Sequence, residues 1–230
     1  QQGKEWRNVK VYGQEINQLT SAIGRMNLFL HGVQDFHIVN DDTLKAPAFI
    51  TNGELQKFDL VLANPPYSIK QWDRTAFESD KYGRNFLGTP PQGRADYAFF
   101  QHILASLKPG SGRCAILFPH GILFRNEEKE MRKKLVQSDM VDCVIGLGPN
   151  LFFNAPMEAC IVICRTYKEP EKRGKVLFIN AVKEVTRKNA QSYLEDTHIA
   201  HIASAYENYC DEDNYAKLAT QDEIAEKDYS

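Results

Sequence analysis

The sequence predicts an α/β fold with a largely parallel sheet, and three observations predict it. Short apolar runs rich in β-branched residues alternate with segments whose apolar residues recur at three- and four-residue steps. The chain has 230 residues, 43% of them hydrophobic, enough to bury one good core. One buried run leads directly into a rigid polar corner, Asn64-Pro65-Pro66-Tyr67, where open parallel sheets present ligand sites.

The elements follow in order. Val9-Lys10-Val11-Tyr12 reads as a short strand. Ile16, Leu19, Ile23, Met26 and Leu30 fall on one face of a helix that Gly32 stops. Residues 36–39 form the next strand, followed by the turn Asn40-Asp41-Asp42-Thr43, and residues 58–63 form a buried strand. Residues 68–94 are polar and rich in Gly and Pro, a long loop of the kind that carries function in compact domains. Asp96 stands where it would cap a helix over residues 97–107, ended by Lys108-Pro109-Gly110. Residues 113–118 are a strand. Asn126 would cap a helix to Ser138, with Glu127 and Glu128 at its start and Lys133 and Lys134 near its end, the order that suits the helix dipole. Residues 141–147, 159–164 and 176–179 read as three more strands, and a helix follows over residues 190–206. The tail, with Asp211, Glu212, Asp213 and Asn214, is expected to be exposed or part of a connection. The expected division is a core over residues 1–185 and a helical extension over residues 186–230.

The formal net charge is −2, so the basic surplus of a chain that grips nucleic acid unaided can only be local. Candidate patches are Lys70, Arg74, Lys81, Arg84 and Arg94, then Lys129, Arg132, Lys133 and Lys134, then residues 165–175; solvated faces are the ordinary reading of each. Five cysteines without a Cys-x-x-Cys pair fit reduced, buried thiols of a cytoplasmic protein, with Cys160 and Cys164 on one strand face. No signal peptide is expected, and these residues contain no apolar run long enough to span a bilayer. His198 and His201 lie a turn apart without a third ligand, and His120 reads as a structural histidine at a strand end, so no metal site is expected.

The chemistry sits in Asn64-Pro65-Pro66-Tyr67. An aromatic amino group is a poor nucleophile because its lone pair is delocalised into the ring. Two acceptors aimed at its two N–H bonds favour a tetrahedral nitrogen with a freed lone pair, and the Asn64 side-chain oxygen and the Pro65 carbonyl can supply them as preorganised dipoles. The two prolines stiffen the loop, and Tyr67 offers a face on which an extruded base can stack. A rigid turn with a packed tyrosine is the structural alternative.

With those residues the sequence resembles a known family. Asn-Pro-Pro-Tyr after a strand is the signature of amino-group methyltransferases that use S-adenosylmethionine. Tyr12-Gly13-Gln14-Glu15-Ile16-Asn17, Met26 with the six residues after it, Asp42-Thr43-Leu44, residues 58–67, residues 95–104, residues 112–123 and Val144-Ile145-Gly146-Leu147 look like the modification subunit of type I restriction-modification systems. The resemblance covers residues 9–206. It implies a class I S-adenosylmethionine-dependent methyltransferase (Rossmann-like) sheet and methylation of adenine N6 in duplex DNA after base flipping, by direct displacement at the sulfonium carbon. It implies that Glu15 accepts from the cofactor ribose hydroxyls, that Asp42 reads the cofactor adenine, and that Asp96 and Phe99 lie in the segment lining the cofactor pocket. Phe152 or Phe153 would contact the flipped base. From the residues alone, Glu15 is equally a helix-start acid, Asp42 a turn aspartate, Asp96 a cap, and Phe99 and the Phe152-Phe153 pair core. The implied partners are duplex DNA, a separate specificity subunit that supplies much of the DNA grip, a second modification subunit, and in some assemblies a restriction (nuclease) subunit.

The resemblance breaks upstream of Val9, where the family carries a glycine-rich cofactor loop after its first strand. Without that strand the sheet is expected to have a gap between the strands leading to Glu15 and to Asn64, or those neighbours to pair directly, and these 230 residues alone are expected to bind cofactor weakly or not at all and to be inactive. Two rival readings are a methyltransferase acting on glutamine side chains of proteins, which uses the same tetrapeptide, and a non-catalytic assembly module of the restriction-modification complex.

Overall fold

The computed structural model describes residues 9–152, 157–189 and 191–230. The first piece of sheet is small. Strand β1 (Val11–Gln14) leads into helix α1 (Gln18–Leu30), and strand β2 (Phe36–Val39) returns parallel to β1 with Val11 opposite Phe36. A hairpin follows, β3 (Ile50–Thr51) and β4 (Glu54–Leu55), turned by Asn52 and Gly53 at φ 53° and 84°. Both turn residues sit at positive φ, which is what Asn-Gly tolerates and most residues do not. The hairpin is a departure from the sequence reading, which passed over that dipeptide.

The main sheet takes strands from the rest of the chain. In chain order these are β5 (Leu60–Ala63), β6 (Arg113–Pro119), β7 (Val141–Leu147), β8 (Ala159–Arg165) and β9 (Lys175–Ala181). A small hairpin, β10 (Thr186–Lys188) and β11 (Gln191–Tyr193), precedes the last strand, β12 (Ala216–Thr220). The spatial order is β5-β6-β8-β7-β9-β12. Pairs β5/β6 and β7/β9 are parallel, whereas β8 runs antiparallel to both its neighbours and β12 antiparallel to β9. The sheet is therefore mixed rather than largely parallel. Strands β5, β6, β7 and β9 still point the same way, so Asn64, His120, Gly148 and Val182 leave the sheet along one rim.

Helices α2 (Arg74–Glu78), α3 (Asp96–Ala105), α4 (Lys129–Gln137), α5 (Asp196–Asn208) and α6 (Gln221–Glu226) complete the chain. One sheet face buries Ile116, Phe118, Val144 and Val162 under Phe100 and Leu104 of α3, Met131 and Leu135 of α4, and Ile224 of α6. The other buries Cys143, Ile145, Leu177 and Ile179 under Ala205 of α5 and Tyr209. Strand alternation makes this two-sided core, as successive side chains point to opposite faces. Cys114, Cys143, Cys160 and Cys164 are buried free thiols, and Cys210 is exposed.

Several sequence expectations are corrected. Asp96 is the first residue of α3, not its cap; Ala95 precedes it without a side-chain cap bond. Asn126 opens a 3-10 turn, and α4 begins at Lys129 with no side-chain cap. Residues 191–193 are strand, so the helix expected from about residue 190 starts at Asp196, where Glu195 and His198 form a capping box. The residues after 185 do not form a helical extension: β12 adds to the edge of the main sheet along β9, from Ala216 opposite Ile179 to Thr220 opposite Lys175. The apolar row Ile16, Leu19, Ile23, Met26 and Leu30 is exposed. Helix α1 buries only Ser21, with Gly24 and Leu28 half-buried on that side, because small residues let it lie close to β2 while its larger side chains point outward. Arg84, Arg132 and Lys168 are buried, so they leave the basic patches to which the sequence reading assigned them.

Candidate active site

The corner after β5 presents its residues unequally. Asn64 is exposed, Pro65 buried, Pro66 exposed and Tyr67 half-buried. A buried Pro65 ring anchors the corner and leaves the neighbouring Asn64 side chain at the surface. Burial pushes the Tyr67 hydroxyl up to about 12, helped by the nearby Cys160 and the Asp96 carboxylate, so Tyr67 is a neutral phenol at working pH. The next residue, Ser68, has φ 50°, a left-handed conformation that is uncommon for a residue bearing a β-carbon.

Glu15 follows β1; one carboxylate oxygen accepts the Asn17 N–H at 2.7 Å, which also starts α1. Asn40 donates to the Glu15 and Ile16 carbonyls at 2.8 and 2.9 Å, tying the end of β1 to the turn after β2. In that turn one Asp42 oxygen accepts the Leu44 and Lys45 N–H groups at 2.9 and 3.1 Å. Each acid thus has one oxygen engaged in shaping its turn, and a second that those bonds do not use. Phe99 is half-buried against Leu44, Phe77, Ala95 and Ala98. Phe152 packs against the second core cluster, and Phe153 lies outside the described residues.

Asp96 is 1% exposed and points under the corner rather than into open space. Its carboxylate accepts the Ser68 N–H at 2.9 Å, the Ser68 hydroxyl at 3.3 Å and Arg125 Nη1 at 2.9 Å. Arg125 Nη1 also reaches both Glu128 oxygens at 3.2 Å, and the Arg125 carbonyl accepts Arg132 Nη1 at 2.7 Å. Burial drives the Glu128 carboxyl up to about 7; Asp96 adds to the rise, and Arg125, Arg132 and Arg94 oppose it. Sequence reasoning missed Ser68, Arg125 and Glu128. Arg125 and Glu128 stand in a charge-rich stretch, residues 125–134, where no local pattern singles them out.

A second buried pair fixes the loop over residues 68–94. Arg84 donates to Asp80 at 2.6 and 2.9 Å and to the Thr43 and Leu44 carbonyls at 3.0 and 2.8 Å, so the loop is bolted to the turn that carries Asp42. Further along the rim, His120 meets Glu158 at 3.2 Å and lines an open cavity of about 630 Å³ with Asn180, Tyr215 and Lys217. His201 is held between Glu184 at 2.7 Å and Glu212 at 3.0 Å and stacks on Tyr215. Among the described residues no helix is long and apolar enough to cross a membrane.

Glu15 follows β1, Asp42 follows β2, Asn64 follows β5, and Asp96 opens α3. Strands β1 and β2, however, form a sheet separate from the one bearing Asn64.

Known proteins share this fold. The family model described as N-6 DNA Methylase matches residues 1–230. The chain is 32% identical over 235 residues to the type I restriction enzyme HindI methylase subunit of Haemophilus influenzae, covering 96% of this chain and 50% of that protein. It is 33% identical over 238 residues to the MpnII methylase subunit of Mycoplasma pneumoniae, covering 99% and 43%. Among solved structures, the methyltransferase subunit of a type I restriction-modification system from Streptococcus thermophilus superposes with a TM-score of 0.89 at 38% identity, over 97% of this chain and 47% of that one. A putative class I S-adenosylmethionine-dependent methyltransferase from Listeria monocytogenes shares the fold, with a TM-score of 0.62 at 18% identity over 87% of this chain and 55% of that one. The chain spans about half the length of the curated relatives it matches. With the family model covering every residue, the chain belongs to the N-6 DNA methylase family.

Proposed function

We propose that this chain carries the amine-activating centre of an adenine-N6 DNA methyltransferase, as the modification subunit of a type I restriction-modification system. The observation that carries the reading is the exposed Asn64 beside the buried, anchored Pro65 at the end of β5, followed by a neutral Tyr67. The Asn64 side-chain oxygen and the Pro65 carbonyl accept from the two N–H bonds of the adenine amino group. The nitrogen lone pair is thereby released from the ring, and no charged base is required. Tyr67 receives the extruded adenine on its ring.

The donor set also suits S-adenosylmethionine. Glu15 has a carboxylate oxygen beyond the one that Asn17 engages, suited to ribose hydroxyls, and Asp42 has one suited to an adenine amino group. Phe99, beside Leu44, gives the adenine an apolar wall. When bound, the cofactor supplies an electrophilic methyl group on a sulfonium. Phe152 supports the base cleft through the second core cluster. Duplex DNA, a specificity subunit and a second modification subunit complete the assembly, with a nuclease subunit where restriction accompanies modification, in the cytoplasm. The net charge of −2 agrees with a DNA grip that is largely supplied by another subunit.

The test is methyl transfer by the full-length methylase in its assembled complex, offered an adenine-containing duplex or a glutamine-containing peptide. Transfer to the duplex alone is expected, and Asn64→Ala should lower its rate about 100- to 1000-fold. Transfer to the peptide, or an Asn64→Ala enzyme with undiminished rate, would sink the reading.

A further inference from the structure

The residue after the acceptor corner is held in an unfavourable conformation by charges that no cofactor contact needs. Ser68 sits at φ 50°, and a left-handed residue with a β-carbon persists only where its surroundings over-determine it. Here they do. Asp96 takes both the Ser68 N–H and its hydroxyl, and Arg94 Nη1 donates to the Ser68 oxygen at 3.1 Å. Arg125 fixes Asp96 from behind and is itself held by Glu128. Space for Arg125 is reserved: a β-carbon on Gly121 would lie 2.5 Å from Arg125 Nε. Asp96 therefore holds the backbone N–H of Ser68, Arg94 holds its side-chain oxygen, and Arg125 acts on it through Asp96.

We propose that Asp96 is a positioning residue: its carboxylate, clamped by Arg125, holds Ser68 left-handed and thereby sets the direction of the Asn64–Tyr67 corner. The inference rests on the reading of that corner as the amine site. It gives Asp96 a role distinct from cofactor contact, because the carboxylate is buried and turned to Ser68 and Arg125. An amide at position 96 cannot do the same work. Its oxygen can accept the Ser68 N–H, but its NH2 then confronts the Arg125 guanidinium, donor against donor. Removing the guanidinium instead leaves the Asp96 and Glu128 carboxylates facing each other without their shared cation. Displacement of a reacting group by about 1 Å costs on the order of 100-fold in rate, so a small tilt of the corner is enough to be measured.

The experiment uses the full-length methylase in its assembled complex, carrying Asp96→Asn, Arg125→Lys, Arg125→Gln, Ser68→Gly or Ser68→Val. Three quantities are read: the single-turnover methyl-transfer rate, the S-adenosylmethionine dissociation constant, and hydrogen exchange across residues 64–69. Asp96→Asn and Ser68→Val should slow transfer about 100-fold while the cofactor constant moves less than about threefold, and should accelerate exchange in that peptide. Ser68→Gly, free to adopt positive φ, should lose far less than Ser68→Val, and Arg125→Lys less than Arg125→Gln. A cofactor constant that rises in step with the rate loss would make Asp96 a cofactor ligand and overturn the proposal. So would equal behaviour of the two Ser68 variants or unchanged exchange in Asp96→Asn. If Asp96→Asn fails to fold, the Ser68 pair still decides. A wild-type complex that does not methylate adenine would refute the proposed function instead, and the exchange data would then judge the strut alone.

Discussion

Arg84 and Asp80 meet at 2.6 Å with both side chains 3% exposed, inside a loop that reads as polar and solvent-facing. Burial raises the Asp80 carboxyl, but hydrogen bonds and charge from Arg84 outweigh it and hold that carboxyl below its ordinary range. Breaking the pair from one side strands a buried charge. Asp80→Ala should cost about 3–5 kcal/mol of stability, measured by urea unfolding. A loss under about 1 kcal/mol would show that the pair is more hydrated than its packing implies.

Glu128 gives a pH dependence of known sign. Its folded-state carboxyl rises from an ordinary 4.5 to about 7, chiefly through burial. A raised carboxyl favours the folded state when protonated, so this contribution is present below pH 4.5 and is lost as pH climbs to about 7. At most about 3 kcal/mol is involved. His102 works the other way: burial, then Arg84, lowers it from 6.5 to about 4, so its contribution is lost as pH falls through that interval. The difference between wild type and Glu128→Gln isolates Glu128. The wild type should lose stability relative to the variant between pH 5 and 7, and parallel curves would refute the assignment.

Tyr67 should act through its ring. With its hydroxyl pushed up to about 12, it contributes no step to the rate between pH 7 and 10. Tyr67→Phe should stay within about threefold of wild type, and Tyr67→Ala should lose about 10- to 100-fold, the cost of one stacked base. Equal losses in the two variants would assign the work to the hydroxyl.

The proposed cofactor residues lead to a prediction for these 230 residues on their own. Glu15 stands at the end of a two-stranded sheet that, among the described residues, shares no strand pairing with the sheet carrying Asn64. Among the described residues side chains bridge the two, such as the Tyr12 ring against Phe58 at 5.3 Å. Calorimetric titration should therefore show binding of S-adenosylmethionine far weaker than about micromolar. A micromolar constant for the short polypeptide would defeat this.

What could be read in the sequence and what could not divides along chain separation. The corner at residues 64–67 was legible because its acceptors, stiffeners and aromatic ring are consecutive and follow an apolar strand. The strut beneath it was not, because Ser68, Asp96 and Arg125 are 28 and 29 residues apart and no local pattern marks them as partners. Asp96 was noticed for the wrong local reason, as a cap, since a carboxylate at a helix start ordinarily serves the helix. Arg84 was placed in a basic patch because a lone arginine in a polar loop gives no hint of the Asp80 carboxylate and carbonyls waiting for it. The last strand escaped because its five residues follow an acidic run and gain their meaning only beside β9, which lies nearly forty residues earlier.

Helix α1 carries a consequence for handling the molecule. Leu19, Met26, Phe29 and Leu30 are each more than 60% exposed, and Leu62 on β5, an edge strand of the main sheet among the described residues, is 72% exposed. Greasy surface beside an open strand edge is what drives like chains together. In dilute buffer this polypeptide should cluster as its concentration rises. Light scattering would report growth in particle size, and charged replacements at Leu19 and Met26 should restore free single chains.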